Sequence, residues 1–327
     1  MKKTWLFLFL ISCGVIKGQQ NTAIPDWYLN PPKNDISYLY GTGYGSSIDQ
    51  ATQIALNNVA EKVSVTVSSS VTSEKQESSV NENSLYESQY EQDVSTSVQE
   101  MNFTNYETVK SEQVGMHIYS LVKVSRSEII ENYMKQIKKI DNEISAIIKG
   151  MSRVSAIEQF ARLHRITDKI RVNEINLKIV ETIEKSDAGV RKYYDRYQSL
   201  LKLKTQIKNK IVVKVIAKPS DENVAMVLTK SINDLNIKTS SKLNPKNKAH
   251  ALLRVVTSTK HDKIYGTYLA KIKVDMKLLE NFGDQISSGF IEISGSSAVN
   301  SAGAVDAAIA NFRKKIQELG LLQVVGL

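Results

Sequence analysis

Gly41-Thr42-Gly43-Tyr44-Gly45-Ser46 is the stretch of this 327-residue chain whose residue types and spacing come nearest to ligand chemistry. Alternating glycines that leave a strand and enter a helix let backbone amides approach a phosphate, and a helix N-terminus favours the phosphate charge. The spacing departs from both common phosphate loops. A dinucleotide-binding turn needs a third glycine where Ser46 stands, and a Walker loop needs a lysine before its Ser or Thr. Gly41, Gly43, Gly45 and Ser46 are therefore a candidate site for a small molecule or glycan, and the alternative is that these glycines serve a sharp strand-to-helix turn. His117, His164, His250 and His261 share no metal-ligand spacing and none has a Cys partner. Acidic residues form no recognisable acid–base pair, no Gly-x-Ser-x-Gly elbow occurs, and Gly295-Ser296-Ser297 reads as a strand-end turn. No catalytic residue, metal or cofactor is expected, and the chain reads as a non-enzyme.

Cys13 offers a different chemistry. Lys2 and Lys3 precede an apolar run from Thr4 to Ser12, which is shorter than the roughly 20 residues a membrane-spanning helix needs. This is the form of a signal peptide, and residues 1–20 are assigned to it. Leu10-Ile11-Ser12-Cys13 resembles the lipobox of bacterial lipoproteins, with the only cysteine of the chain at the position where a thioether to diacylglycerol forms. Cys13 is thus the expected lipid attachment site. The alternative is an ordinary leader cut after a small residue such as Gly18, and a twelve-residue leader is short for a lipoprotein. By analogy with lipoproteins, Gly14 after the cysteine fits outer-membrane sorting. One thiol at most excludes an internal disulfide in the mature chain.

The remaining sequence reads as α+β, with two small α+β domains separated by a helical bundle or coiled-coil spacer. The boundaries are 21–125, 126–208 and 209–327. In the first domain, the strand Tyr38 to Tyr40 leads through the glycines to Ser47-Ile48-Asp49-Gln50, which has the form of a capping box. The helix that follows carries Ile48, Ala51, Ile54, Ala55, Val59 and Val63 on one stripe. Period-two spacing from Ser64 to Ser73 predicts a strand with Val65, Val67 and Val71 inward. Tyr86, Tyr90, Val94 and Val98 predict a weak amphipathic helix, and strands are expected at about 103–112 and 115–124. In the middle segment Ile130, Ile137, Ile144 and Met151 fall at heptad position a, with Tyr133, Ile140, Ile147 and Val154 at d. That spacing predicts four heptads. The register breaks at Glu158, which favours a hairpin or three-helix bundle over one rod. The last domain is expected to run as strand 211–217, a helix capped by Ser220, strand 237–241, strands 251–258, 268–279 and 285–295, and a helix at about 301–319.

The net charge of +9 is uneven: about −5 over residues 1–125, +10 over 126–218 and +4 over 219–327. A nucleic-acid surface would gather Lys and Arg with aromatics on one face, whereas here the basic residues alternate with glutamates on the polar faces of apolar-seamed helices, so no nucleic-acid partner is expected.

Pro25-Asp26-Trp27-Tyr28, Pro31-Pro32, Tyr40-Gly41-Thr42-Gly43 and the helix bearing Asp49, Ala51, Ala55 and Ala60 resemble the Lpp-twenty lipoprotein family. The strand from Ile118 to Arg126 is similar to that family's closing strand, so the resemblance spans about residues 24–130. Residues 210–320 resemble, by pattern alone, secreted αβ domains of envelope-assembly lipoproteins. The family resemblance implies a surface or outer-membrane bacterial lipoprotein of the cell envelope without known catalysis, accessory to envelope or to flagellar or outer-membrane ring structures. Together with the lipobox it gives the expectation of a palmitate-bearing Cys13 anchored in the outer membrane, a body towards the periplasm or the surface, and a structural or assembly role through contacts with envelope proteins or other copies of itself. A periplasmic binding module with its site near Gly41 to Ser46 is the alternative. The Pro25 to Pro32 segment serves either as a stalk or as a support that packs Trp27 on the first sheet, and burial of an indole favours packing.

Overall fold

A computed structural model describes residues 23–78, 103, 105–184, 189–244, 247, 249–280 and 283–327. Cys13 and its leader, and the helix expected around Tyr86 to Val98, lie outside the described residues. The fold is α+β and divides into two compact units: Met1–Met134 with Lys178–Lys185, and Lys135–Leu177 with Ser186–Leu327.

The first unit is built on a three-stranded antiparallel sheet, β1 (Tyr38–Gly45), β2 (Tyr106–Val114) and β3 (His117–Ser125), in the order β1-β3-β2. Leu39, Gly41 and Gly43 lie opposite Val124, Val122 and Ser120, so one face of the sheet is apolar with small residues at one end. The short helix α1 (Asp26–Leu29) precedes β1, and the long helix α2 (Ile48–Ser78) covers the apolar face. Ala51, Ala55, Val59, Val63 and Val67 recur every four residues along α2 and are all buried. Ile48 and Ile54, expected on that stripe, are exposed.

The strand predicted over Ser64 to Ser73 is replaced by helix. Val65 is exposed while Val67 continues the buried stripe, so spacing of four prevails over spacing of two. The hydroxyls of Thr66 and Ser69 donate to the carbonyls of Lys62 and Val65 one turn back, which lets these residues sit within a helix. β2 and β3 fall near their expected positions, with a bulge between Thr108 and Lys110.

The middle of the chain is helical: α3 (Arg126–Ile148), α4 (Ala156–Arg165), α5 (Thr167–Glu184) and α6 (Arg191–Lys208), of which α3 and α5 contribute residues to both units. Three of the four expected heptads lie on α3. The fourth does not, because Gly150 at φ 70 turns the chain into a 3-10 turn, Met151–Arg153, and Val154 is extended. The register break at Glu158 is a helix start. The Ser155 hydroxyl accepts from the Glu158 N–H, and the Glu158 carboxylate accepts from the Ser155 N–H, a complete capping box.

The second unit also holds a five-stranded sheet: β4 (Val212–Ile216), β5 (Lys238–Thr239), β6 (His250–Ile264), β7 (Thr267–Glu280) and β8 (Gln285–Ser297), in the order β5-β4-β6-β7-β8. β4 runs parallel to β5 and β6, and the other pairs are antiparallel. Helices α7 (Glu222–Asp234), α8 (Ser301–Leu319) and α9 (Leu321–Val324) pack on the sheet. Ala270, Ile272, Val274, Met276 and Leu278 of β7 are buried on the helix side, as are Ala304, Ala308, Phe312 and Ile316 of α8. The opposite face, with Arg254, Val256, Lys271, Lys273, Asp275 and Lys277, is exposed.

The helix expected to be capped by Ser220 starts differently. Ser220 lies in a 3-10 turn, Pro219–Asp221, and its hydroxyl donates to Asp221 Oδ1 at 2.9 Å. Asp221 is buried, and its carboxylate accepts from the Thr257 hydroxyl at 2.8 Å and the Thr257 N–H at 3.3 Å. Burial alone raises a carboxyl pKa, but these hydrogen bonds outweigh it and Asp221 is held below the usual value. The carboxylate therefore ties the start of α7 to β6.

Candidate functional site

The glycines of β1 face α2. A Cβ on Gly41 would overlap the Ala55 carbonyl oxygen and stand 2.6 Å from Val59 Cγ2. A Cβ on Gly43 would overlap Ala51 O and Ala55 N and stand 2.9 Å from the Ile54 carbonyl carbon. These two positions bring strand and helix backbones into direct contact. Ser46 adjoins the helix start. Its N–H and hydroxyl both donate to Gln50 Oε1, at 2.8 and 2.9 Å, while the Ser47 hydroxyl accepts from the Gln50 N–H at 3.2 Å. Gln50 thus satisfies Ser46 rather than Ser47, one residue away from the expected capping box.

Tyr44 lies between these glycines and points away from the helix, half exposed. Its ring stacks on Tyr119 at 5.9 Å and meets Tyr28 and His117 edge-on at 6.2 and 5.8 Å. Tyr28 packs on Tyr119 at 4.8 Å, and Trp27 meets Tyr28 at 6.5 Å. The Trp27 indole N–H donates to Glu112 Oε2 at 3.4 Å, so the segment after Pro25 packs on the sheet as the indole's size favours. Alternation along β1 and β3 gathers these rings, although they are distant in sequence and form no motif. Desolvation, followed by the neighbouring phenols of Tyr44 and Tyr119, raises the Tyr28 pKa.

A second cluster lies in the helices of the second unit. Tyr197 of α6 is fully buried; its hydroxyl accepts from Asn173 Nδ2 at 2.6 Å and donates to Asp141 Oδ1 at 3.1 Å. Asn173 Nδ2 also donates to the Ile137 carbonyl, and Arg196 Nη1 pairs with Asp141 Oδ2 at 2.6 Å. Burial is the largest cause of the raised Tyr197 pKa. Every polar partner in this knot is engaged within the knot, so it fixes helix register and leaves no group free for chemistry. Nearby in sequence on α5, burial lifts the Glu174 carboxyl to about 7.

The four histidines lie apart, with His250 and His261 eleven residues from each other on β6. His117 begins β3, His164 stacks on Phe160 within α4, the His250 ring accepts from the Asn244 N–H, and His261 Nδ1 lies 2.8 Å from Ser301 Oγ. Among the described residues no cluster of three or more His, Cys, Asp or Glu could hold a metal ion, and no helix is long and apolar enough to cross a membrane. A small pocket of the second unit, bordered by Ile157, Val213, Leu253, Leu278 and Leu322, has an entirely aliphatic lining and no polar group to orient a ligand.

The sheet, α2 and the aromatic face together form one α+β domain, and residues 25–125 match the model of the LPP20 lipoprotein family. The match covers the stretch that holds Trp27, the glycines of β1 and the strand after Ile118, on which the sequence resemblance rests. Among solved structures, the secreted protein HP1454 of Helicobacter pylori is 15% identical with a TM-score of 0.45, over 86% of this chain and 98% of that one. A minor lipoprotein of Acinetobacter baumannii is 10% identical with a TM-score of 0.29, over 34% and 93%. Lipoprotein GNA1162 of Neisseria meningitidis is 9% identical with a TM-score of 0.23, over 33% and 99%. No curated protein matches the sequence.

Proposed function

We propose that this chain is a non-enzymatic bacterial envelope lipoprotein, tethered through an acylated Cys13, which serves as a structural or assembly factor through protein–protein contacts. The match of residues 25–125 to a lipoprotein family model carries the reading, since a stretch similar to that family follows the chain's only cysteine, Cys13, at the end of the apolar leader. The acyl chains hold the outer membrane and the folded units face the periplasm. β1 and β2 are the edges of the first sheet, and the outer residues of β2 are exposed, which supports strand or side-chain contacts with envelope partners or a second copy. Palmitate labelling of cells expressing the full chain tests the anchor: label in the wild type, absent in Cys13→Ser, is expected. An unlabelled but normally exported wild type refutes the tether.

The aromatic face supports a second reading, a glycan-binding module beside Gly41 to Ser46. A half-exposed tyrosine ring backed by Tyr119 and flanked by Tyr28 and His117 suits the apolar face of a sugar. Titration with peptidoglycan fragments, comparing wild type with Tyr44→Ala, separates this reading from the first.

A further inference from the structure

The hairpin joining β6 to β7 turns through only two residues, Tyr265 and Gly266, because Ile264 pairs with Thr267. Both turn residues have positive φ, 47° and 82°, as a tight hairpin turn of right-handed twist requires. Gly adopts this conformation freely and Asn or Asp tolerates it, but an aromatic residue at the first position works against the turn. Tyr265 is nonetheless there, and it is fully exposed. Ile264 beside it is about half exposed, and Val299, just beyond the β8 residue Ser297 that pairs with Tyr268, is largely exposed. Three large side chains thus crown one end of the sheet, and folding buries nothing of Tyr265 and little of Val299.

The charges beneath this crown are arranged against their own stability. Lys260 of β6 stands directly opposite Lys271 of β7, and Lys273 follows on the same exposed face. Like charges opposite each other on neighbouring strands destabilise a sheet. Glu292 of β8 pairs with both Lys271 and Lys273, and Asp262 is the other acid near the tip. Lys263 donates to the Tyr268 hydroxyl at 3.1 Å and covers its ring, with its ammonium group exposed next to the turn. On the outer face three lysines, Lys260, Lys271 and Lys273, thus stand against two acids beneath the tip, and Lys263 adds an exposed charge on the other face beside the turn. Tyrosine favours the boundary between water and lipid, and lysines beside it attract anionic headgroups.

We propose that the β6–β7 hairpin tip is a contact site for an anionic lipid surface, with Tyr265, Ile264 and Val299 entering the headgroup layer and Lys260, Lys263 and Lys271 meeting lipid phosphates. The inference deepens the tethered-envelope reading and takes its setting from it. A tip contact adds a second membrane signal to the acyl anchor, and two signals hold a protein far more firmly than one.

The test uses the full chain carrying Cys13→Ser, so that no acyl chain is present and the leader is common to every sample. Binding is read by co-sedimentation with phosphatidylcholine vesicles that do or do not contain phosphatidylglycerol. The parent is expected to bind the anionic vesicles more tightly, less so as salt rises. Tyr265→Asn should weaken that binding several-fold while the melting temperature stays level or rises, since Asn suits the turn. Lys260→Gln with Lys263→Gln should weaken it by about fivefold per charge removed. A Tyr265→Trp variant should show emission quenched by brominated lipid. Equal anionic-vesicle binding by parent and variants overturns the proposal, as does a parent that does not distinguish the two vesicle types. Loss of a cross-link to an envelope protein in Tyr265→Asn, without vesicle binding by the parent, assigns the tip to a protein partner and also overturns it. Palmitate labelling at Cys13 is a separate readout, so failure at the tip and failure of the anchor are told apart.

Discussion

Replacing Gly43 with Ala places a methyl group where the backbone of α2 already lies. The new carbon overlaps Ala51 O and Ala55 N and stands 2.9 Å from the Ile54 carbonyl carbon. A side chain can rotate away from such a collision, but helix backbone cannot, so α2 and β1 must separate along their contact. Overpacking a well-filled core costs about 1–3 kcal/mol and occasionally more, and a backbone obstacle puts Gly43→Ala near the top, at about 3 kcal/mol. For a domain of roughly 100 residues each kcal/mol lowers Tm by about 4–8 °C, so a fall of more than about 10 °C is expected. Gly45→Ala is the internal control. Its Cβ meets the Gln50 side chain rather than helix backbone, with Cγ at 2.8 Å and Cβ and Oε1 at 2.9 Å; Cγ and Oε1 can swing away at the expense of the Ser46 hydrogen bonds, so a smaller loss of about 1–2 kcal/mol is expected. Thermal and urea unfolding of the full chain, followed by circular dichroism, measures both. Adding Ala51→Gly to Gly43→Ala should restore nothing, because the obstacle is the carbonyl oxygen of residue 51 and not its methyl group. Equal losses at Gly43 and Gly45, or recovery with Ala51→Gly, refute the close-approach argument. A ligand-cradle role for these glycines gives a different pattern, in which binding is lost and stability is kept.

Four further substitutions have defined outcomes. Thr257→Val removes the hydroxyl donor from the buried Asp221 carboxylate and should cost about 1.5–3 kcal/mol by denaturant titration. Because the Asp221 pKa is lowered on folding, its contribution is complete above the ordinary carboxylate pKa and disappears as pH falls through the lower folded value; the gap between wild type and Asp221→Asn should close in acid. Tyr197→Phe removes one buried partner each from Asn173 Nδ2 and Asp141 Oδ1, which keep Ile137 O and Arg196, and should cost about 1–2 kcal/mol, visible as faster hydrogen exchange in α5 and α6. Glu174 behaves in the opposite sense to Asp221, since its folded pKa of about 7 lies above the unfolded one. Stability falls as pH rises from about 4.5 to 7, and Glu174→Gln should be the more stable protein at pH 8, by up to about 3 kcal/mol.

Much of this architecture was legible in the sequence where a single periodicity acted alone. The α8 pattern of Ala304, Ala308, Phe312 and Ile316 gives its span, and the alternation in β7 gives a strand buried on one side. The second half of α2 was not legible, because its valines satisfy a spacing of two and of four at once. The outcome rests on burial of Val63 and Val67 beneath a sheet that local sequence does not reveal. The turnward third of β6 was missed because Thr257 to Ile264 is polar and the Tyr-Gly turn lacks the usual Asn-Gly or Asp-Gly signal, whereas β7 fell within a residue of its expected span. The Ser155 to Glu158 capping box was readable and would have converted the register break into a helix start. The aromatic face and the Asp141, Asn173, Arg196 and Tyr197 knot have no sequence signature, since each gathers residues from distant elements.

The contact of β1 with α2 is graded in size. From the helix start, Gly43 lies against Ala51 and Ala55, and Gly41 against Ala55 and Val59, while Leu39 is the next inward residue of β1. The inward residues of α2 grow in the same direction, from alanine to valine. Such a wedge fits in one way only. Slipping the helix forward by a turn would drive a valine into a notch shaped for alanine, and slipping it back would open a void beside Leu39. Bulk therefore sets the alignment of the two elements, and the Lys62 ammonium of α2, donating to the Tyr40 carbonyl of β1 at 3.0 Å, adds a polar tie beside the Leu39 end of the wedge.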